Sequence, residues 1–398
     1  MDLEAVGQIK ANDPSSWERA RATQAARSET LAEEARERGD RDAARRAYLR
    51  TANYTRASGY MYLSSSPVDG GMAMVQDPRA LPVAERVGEL FRKAIPLMDG
   101  TVLTLSILFE DFQLPAYLYL PPNDRRIPGR DMIPILVSCG GADSCQVELF
   151  FLNPAAGPGL GYAVLTFDGP GQGILLRRYE LEMRPDWETV TGCVIDHLVE
   201  FSVQNPNFEL DVNCIFVSGA SMGGYFALRA TVDPRIKAYF DTAHVSPLFI
   251  SACTNGGIGQ GLIDRLIGAL KRVSFQLRWE ISVTGTFFGL SSPAEILLHM
   301  KKFTFSGQEQ KNGSSFLSRV LCLVLVSGAG KSLYMDVDSH TRRCFEGLTS
   351  VSPEHKDIWV SSSEGQGSLQ AKMGALALCN QRTYQFLDQA LGIKRDPL

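Results

Sequence analysis

The sequence predicts an α/β fold: a mostly parallel sheet with helices on both faces, a helical stretch ahead of it and a helical insertion within it. Three observations carry this. Short apolar runs rich in Val, Ile, Leu and Phe recur with helical stretches between them: "MIPILVSCGG", "GYAVLTFDGPGQG", "CIFVSGASMGG", "IKAYFDTAH" and "VLCLVLVSGAG". Continuous runs of that kind mark strands buried on both faces. Residues 1–100 lack them and read as helical, and between Pro247 and Ser318 the alternation of strand and helix breaks off.

Each element follows in order. "NDPSSWERARATQAARSETLAEEARERGD" has Asp13 as N-cap, Pro14 at the first helical position and Gly39 as its stop. "RDAARRAYLRTANYTRASGYMYL" returns Ala43, Ala47, Tyr48, Ala52 and Tyr60 at helical spacing, and the turn at Gly39 makes an antiparallel pair. "DPRALPVAERVGELFRKAIPLM" puts Val83, Val87, Leu90, Phe91 and Ala94 on one face of a third helix. "TVLTLSILF" and "QLPAYLYLPP", separated by Glu110 and Asp111, read as an antiparallel pair at a sheet edge. The expected organisation is a helical extension (1–100), a first part of the core (101–246), a lid insertion (247–318) and a second part of the core (319–398).

Composition narrows the function. The chain has 398 residues, 44% hydrophobic and 21% charged, which suits a large core. A net charge of −4 without a basic stripe argues against a nucleic-acid surface. The first twenty residues lack the basic start and apolar stretch of a secretory signal, and no run reaches ~18 apolar residues. The eight cysteines show no C-x-x-C spacing and several fall in strand-like runs, so buried thiols are expected. The expectation is a cytoplasmic protein that engages neither membrane nor nucleic acid.

The chemistry concentrates in "VSGASMGGYFALRA". Here G-x-S-x-G joins a strand to a helix; Gly219 and Gly223 leave room for a sharp turn that lifts Ser221 above the sheet. The N–H of Met222 then points to the same spot. An earlier strand ends in "GGADS", where the N–H of Gly141 or Ala142 would complete an oxyanion hole. Asp168, in "FDGPGQG", is expected to fix its own loop. "SGAGKS" imitates a phosphate-binding loop, but Leu325 stands where that motif needs glycine. "DVDSH" offers metal-type side chains without a second cluster, so no metal and no organic cofactor is expected.

On "LPAYLYLPP", "GGADS", "FDGPGQG", "GASMGGYFALRA", "DPRIKA" and "SGAGKSLY", in that order, residues 15–395 resemble fungal α/β-hydrolases that act on polyketides. These include pigment heptaketide hydrolases and hydrolases of fusarin and cytochalasan pathways. The chain is more distantly similar to a bacterial enzyme that cleaves a carbon–carbon bond in a nicotine metabolite. The resemblance implies an α/β-hydrolase fold with a polyketide or polyketide–amino-acid substrate and a possible homodimer; by analogy with the bacterial enzyme, Asp143 belongs to the site. It also implies a triad acid after "VLCLVLV" and a histidine before the last helix. Lys331 stands at the first position, with Asp336 and Asp338 as the nearest carboxylates; Ser368 or Leu369 stands at the second. Of the five histidines, His244 ends "IKAYFDTAH" at the strand edge where such sites lie, which makes it the expected base. The alternatives are a ring-closing catalyst that works by positioning alone, or an inactive binding protein.

Overall fold

In the computed structural model, which describes residues 3–63, 66–67, 74–241, 260–305, 315–332 and 336–395, the apolar runs become strands of one sheet. In chain order they are β1 (Val102–Phe109), β2 (Phe112–Tyr119), β3 (Ile133–Cys139), β4 (Ala163–Phe167), β5 (Leu210–Gly219), β6 (Ile236–Asp241), β7 (Leu323–Ala329) and β8 (Lys356–Ser361). Their order across the sheet is β8-β7-β6-β5-β3-β4-β2-β1. Neighbours from β4 through β3 and β5 to β8 are parallel, and β2 runs antiparallel to β4. The expected edge hairpin is present, turning at Glu110 with φ 50°. Every residue of β3 and β4 is buried, which is why their sequences show no alternation.

The chain divides into two compact units. One gathers Met1–Val102, Pro170–Arg184 and Ile250–Met300; the other gathers Leu103–Gly169, Pro185–Phe249 and Lys301–Leu398. The inserted helices therefore group with the N-terminal ones, and this grouping ends at Met300, short of Ser318.

In the first unit, Asp13 caps the helix Pro14–Glu37 by accepting from Ser16 N–H at 3.1 Å, and Gly39 turns the chain at φ 73°. The helix Arg41–Ser58 returns alongside: Trp17 Nε1 donates to Ala57 O at 2.7 Å and Ser28 Oγ to Ala47 O at 3.2 Å. The helix Ala80–Ala94 buries Val87, Leu90, Phe91 and Ala94. The insertion supplies Gln260–Val273, Phe275–Phe288 and Pro293–Met300. Asp264 ties the first of these to the third, accepting from Ser292 Oγ at 3.0 Å and Ala294 N–H at 2.9 Å.

In the second unit the helix Met222–Ala230, which follows β5, is buried along its whole length. Phe226 stacks on Trp187 with ring centroids 3.7 Å apart, and Arg229 Nε donates to Glu188 Oε2 at 2.7 Å. Both partners stand at the start of the helix Trp187–Gln204. The helix that follows Ser221 is thus held to that neighbour by a ring stack and an ion pair. Among the described residues no single helix is long and apolar enough to cross a membrane.

Candidate active site

Ser221 lies between the end of β5 and the helix Met222–Ala230, with φ 59° and ψ −126°. Positive φ is rare for a residue with a Cβ, and a turn this tight tolerates no bulk beside it. A Cβ on Gly219 would stand 2.0 Å from Gly223 O, and one on Gly223 would stand 2.4 Å from Cys139 O. The two glycines of the motif are therefore steric requirements of the turn.

The loop after β3 abuts this turn. A Cβ on Gly141 would stand 3.2 Å from Ala220 O and 3.7 Å from Ser221 Cβ. The expected donor from Gly141 needs correction, because its N–H is already bonded to Ser144 Oγ at 2.9 Å. That bond folds the "GGADS" loop on itself; of the two expected donors, Ala142 is the one whose N–H is engaged by no partner among the described residues. On the other side, Gly223 and Gly224 turn their N–H groups back onto Ala220 O and Ser221 O at 2.9 Å each. Met222 N–H stays at the open start of the helix, where the aligned peptide dipoles favour negative charge.

Asp168 ties in the neighbouring loop. It is 3% exposed, and its Oδ1 accepts from Gln146 N–H at 2.6 Å, fixing the segment that leads out of "GGADS". Asp143 is half-buried on that loop.

The acid and base positions of the resemblance do come together, with different chemistry. Lys331 follows β7, and its N–H donates to Ser368 O at 2.9 Å. Its ammonium pairs with Glu364 at 2.7 Å, which holds that exposed carboxyl below its usual range. Ser368 is fully buried. Asp336 is exposed and spends its carboxylate as a helix cap, accepting from Ser339 N–H at 2.8 Å and Ser339 Oγ at 2.7 Å, which lowers its pKa. His340 Nδ1 contacts the Asp336 main-chain oxygen at 2.7 Å, with its ring buried. His244 lies outside the described residues.

One ionisable group in this region escaped the sequence reading. Lys372, four residues past Ser368, is fully buried; its Nζ donates to Gly328 O at 2.6 Å and lies 4.2 Å over the Trp359 ring. Burial pushes the ammonium down to about 8. Its only signal in the sequence is a cation four positions before the apolar start of the last helix. Among the described residues no cluster of His, Cys, Asp and Glu is arranged to hold a metal ion.

Comparison with known proteins gives consistent results. No family model matches the chain. Hydrolyase ccsE of Aspergillus clavatus is 66% identical over all of this chain and 93% of its own length. Hydrolase pyiE of Pyricularia grisea is 60% identical over all of this chain and 92% of its own. Alpha/beta hydrolase psoB of Aspergillus fumigatus is 44% identical over all of this chain and 89% of its own. Among solved structures, 2,6-dihydroxy-pseudo-oxynicotine hydrolase superposes with a TM-score of 0.70 at 18% identity, over 100% of this chain and 95% of that one. Wild-type AbyA5 superposes with a TM-score of 0.59 at 17% identity, over 98% and 88%. At such identities the likeness establishes the fold, and the fold is that of the α/β-hydrolases.

Proposed function

We propose that this chain, which belongs to the family of fungal hydrolases represented by these relatives, is a serine-dependent enzyme of secondary metabolism acting on a polyketide or polyketide–amino-acid carbonyl. The observation that carries this reading is the strained turn at Ser221, with the loop of Gly141 and Ala142 pressed against it. Ser221 Oγ adds to the substrate carbonyl carbon while its proton passes to His244, three residues past the described end of β6. The carbonyl oxygen takes up the negative charge and is held by Ala142 and Met222 N–H. Collapse of the adduct expels the leaving group with that proton. Water, or a nucleophile elsewhere in the same substrate, then takes the acyl group, giving hydrolysis or ring closure. No metal or organic cofactor enters.

A second reading has its own observation. Lys331, paired with Glu364, occupies the place of the triad acid, so no carboxylate is set there to orient an imidazole. Turnover of simple esters should then be slow, with Ser221 and the two N–H groups chiefly orienting a substrate that closes on itself. A fluorophosphonate probe separates the two: it reacts quickly only with an activated serine. Rapid labelling, abolished by Ser221→Ala and slowed at least tenfold by His244→Ala, supports the covalent route. Negligible labelling of intact protein rejects it.

A further inference from the structure

The ladder between β3 and β5 is interrupted. Ile133 and Pro134 pair with Leu210 and Asp211, and then Ile135 pairs with Ile215. Val212, Asn213 and Cys214 have no counterpart, so the register at the start of the two strands does not carry through to their ends. Those ends matter: Cys139 pairs with Gly219, and from there one strand enters the "GGADS" loop and the other the Ser221 turn. Backbone bonds alone do not choose between a correct and a slipped ladder, whereas a slip of one residue sends every side chain to the opposite face. A side-chain contact specific to the correct register would make the choice.

Such a contact is present. Ser138 and Ser218 are register partners, three residues before Gly141 and Ser221 respectively. Both hydroxyls donate to one atom, Asn153 Oδ1, at 2.8 Å each. Ser138, Ser218 and Asn153 are at most 1% exposed. The amide oxygen has two lone pairs, and the two hydroxyls use both, in a setting where such bonds are strong and their loss is costly. Asn153 is itself anchored, its main-chain oxygen accepting from Tyr384 Oη at 3.0 Å and from Gly157 N–H at 3.0 Å.

We propose that Asn153 is a positioning residue: its amide oxygen clasps β3 to β5 above the interruption and so fixes the distance between the oxyanion loop and Ser221. This rests on Ser221 being the nucleophile. An error of about 1 Å in such a distance costs roughly a hundredfold in rate, far more than one hydrogen bond contributes to stability.

The test compares Ser218→Thr with Ser218→Val. Both make the side chain β-branched with an added methyl group, and valine puts a second methyl where threonine keeps the hydroxyl. Asn153→Leu serves as a third variant if it folds. The valine protein should be labelled by a fluorophosphonate roughly ten- to a hundredfold more slowly than the threonine protein, with similar probe saturation. Amide exchange at residues 140–144 and 220–224 should accelerate together by about tenfold in the valine protein. Equal exchange in the two variants at both segments would overturn the clasp. If the parent protein does not label at all, the serine reading fails, and the exchange comparison still decides the clasp independently.

Discussion

At the C-terminal edge of the sheet, the side built on β3 and β5 differs in kind from the side built on β7 and β8. On the first, a serine with positive φ and two glycines without room for a Cβ are held by close backbone contacts, beside a loop folded by the bond from Gly141 N–H to Ser144 Oγ. On the second, the equivalent places carry Lys331, Ser368 and Lys372, held by one ion pair, one main-chain bond and one buried ammonium. The difference teaches where chemistry can change without cost to the fold. A turn defined by backbone sterics admits few residue types, whereas loops past the ends of parallel strands accept many.

The sharpest way to break this contrast is Ser221→Ala. Fluorophosphonate labelling should fall by at least ~10³-fold with an unchanged urea midpoint. Persistent labelling would move the reactive centre off β5. Next come matched glycine changes. Gly219→Ala drives a Cβ into backbone 2.0 Å away and should cost roughly 3 kcal/mol or more, with labelling abolished. Gly367→Ala, at φ +89°, meets a side-chain atom, Lys372 Cδ, at 2.8 Å instead of backbone, and should cost about 1–2 kcal/mol. Equal losses in urea titrations would erase the distinction between the two sides.

Lys372 gives a pH signature. Its folded pKa, about 8, lies below the unfolded value of 10.5, so between those limits the unfolded chain binds more protons. The cost of the buried ammonium is fully present below pH 8 and is relieved as pH rises toward 10.5. The parent protein should therefore gain stability from this group between pH 8 and 10. Burial raises the thiols of Cys139, Cys214, Cys322 and Cys379, which pull the stability of parent and variant down alike as pH climbs. The Lys372 contribution is therefore read as a difference: relative to Lys372→Met, the parent's urea midpoint should rise between pH 8 and 10, and a constant difference would assign no titration to Lys372. The smallest effect belongs to Lys331→Ala: an exposed pair screened by water contributes little, so the urea midpoint should not shift measurably and Ser221 labelling should stay within about twofold.

Much of this was legible beforehand, for definite reasons. The strands of the sheet announce themselves because burial on both faces writes unbroken apolar runs, and Ser221 because a turn that tight spells itself in glycine. The bond from Gly141 N–H to Ser144 Oγ was not legible: a contact between one N–H and a hydroxyl three residues away leaves no mark in spacing. The Asn153 clasp had a signal that went unused, since "LVSC" and "FVSG" each place a serine at the same height in otherwise apolar strands. Lys372 could not have been found, because only the fold around Trp359 and Gly328 makes that lysine a buried one.

Ser221 also carries a record of use. Holding a residue with a Cβ at φ 59° costs about 1–3 kcal/mol, and glycine at the same place would release most of it. Under neutral drift, a scaffold kept merely to grip a partner would have had a downhill exit at this codon. Ser221→Gly should accordingly gain stability and lose fluorophosphonate labelling together.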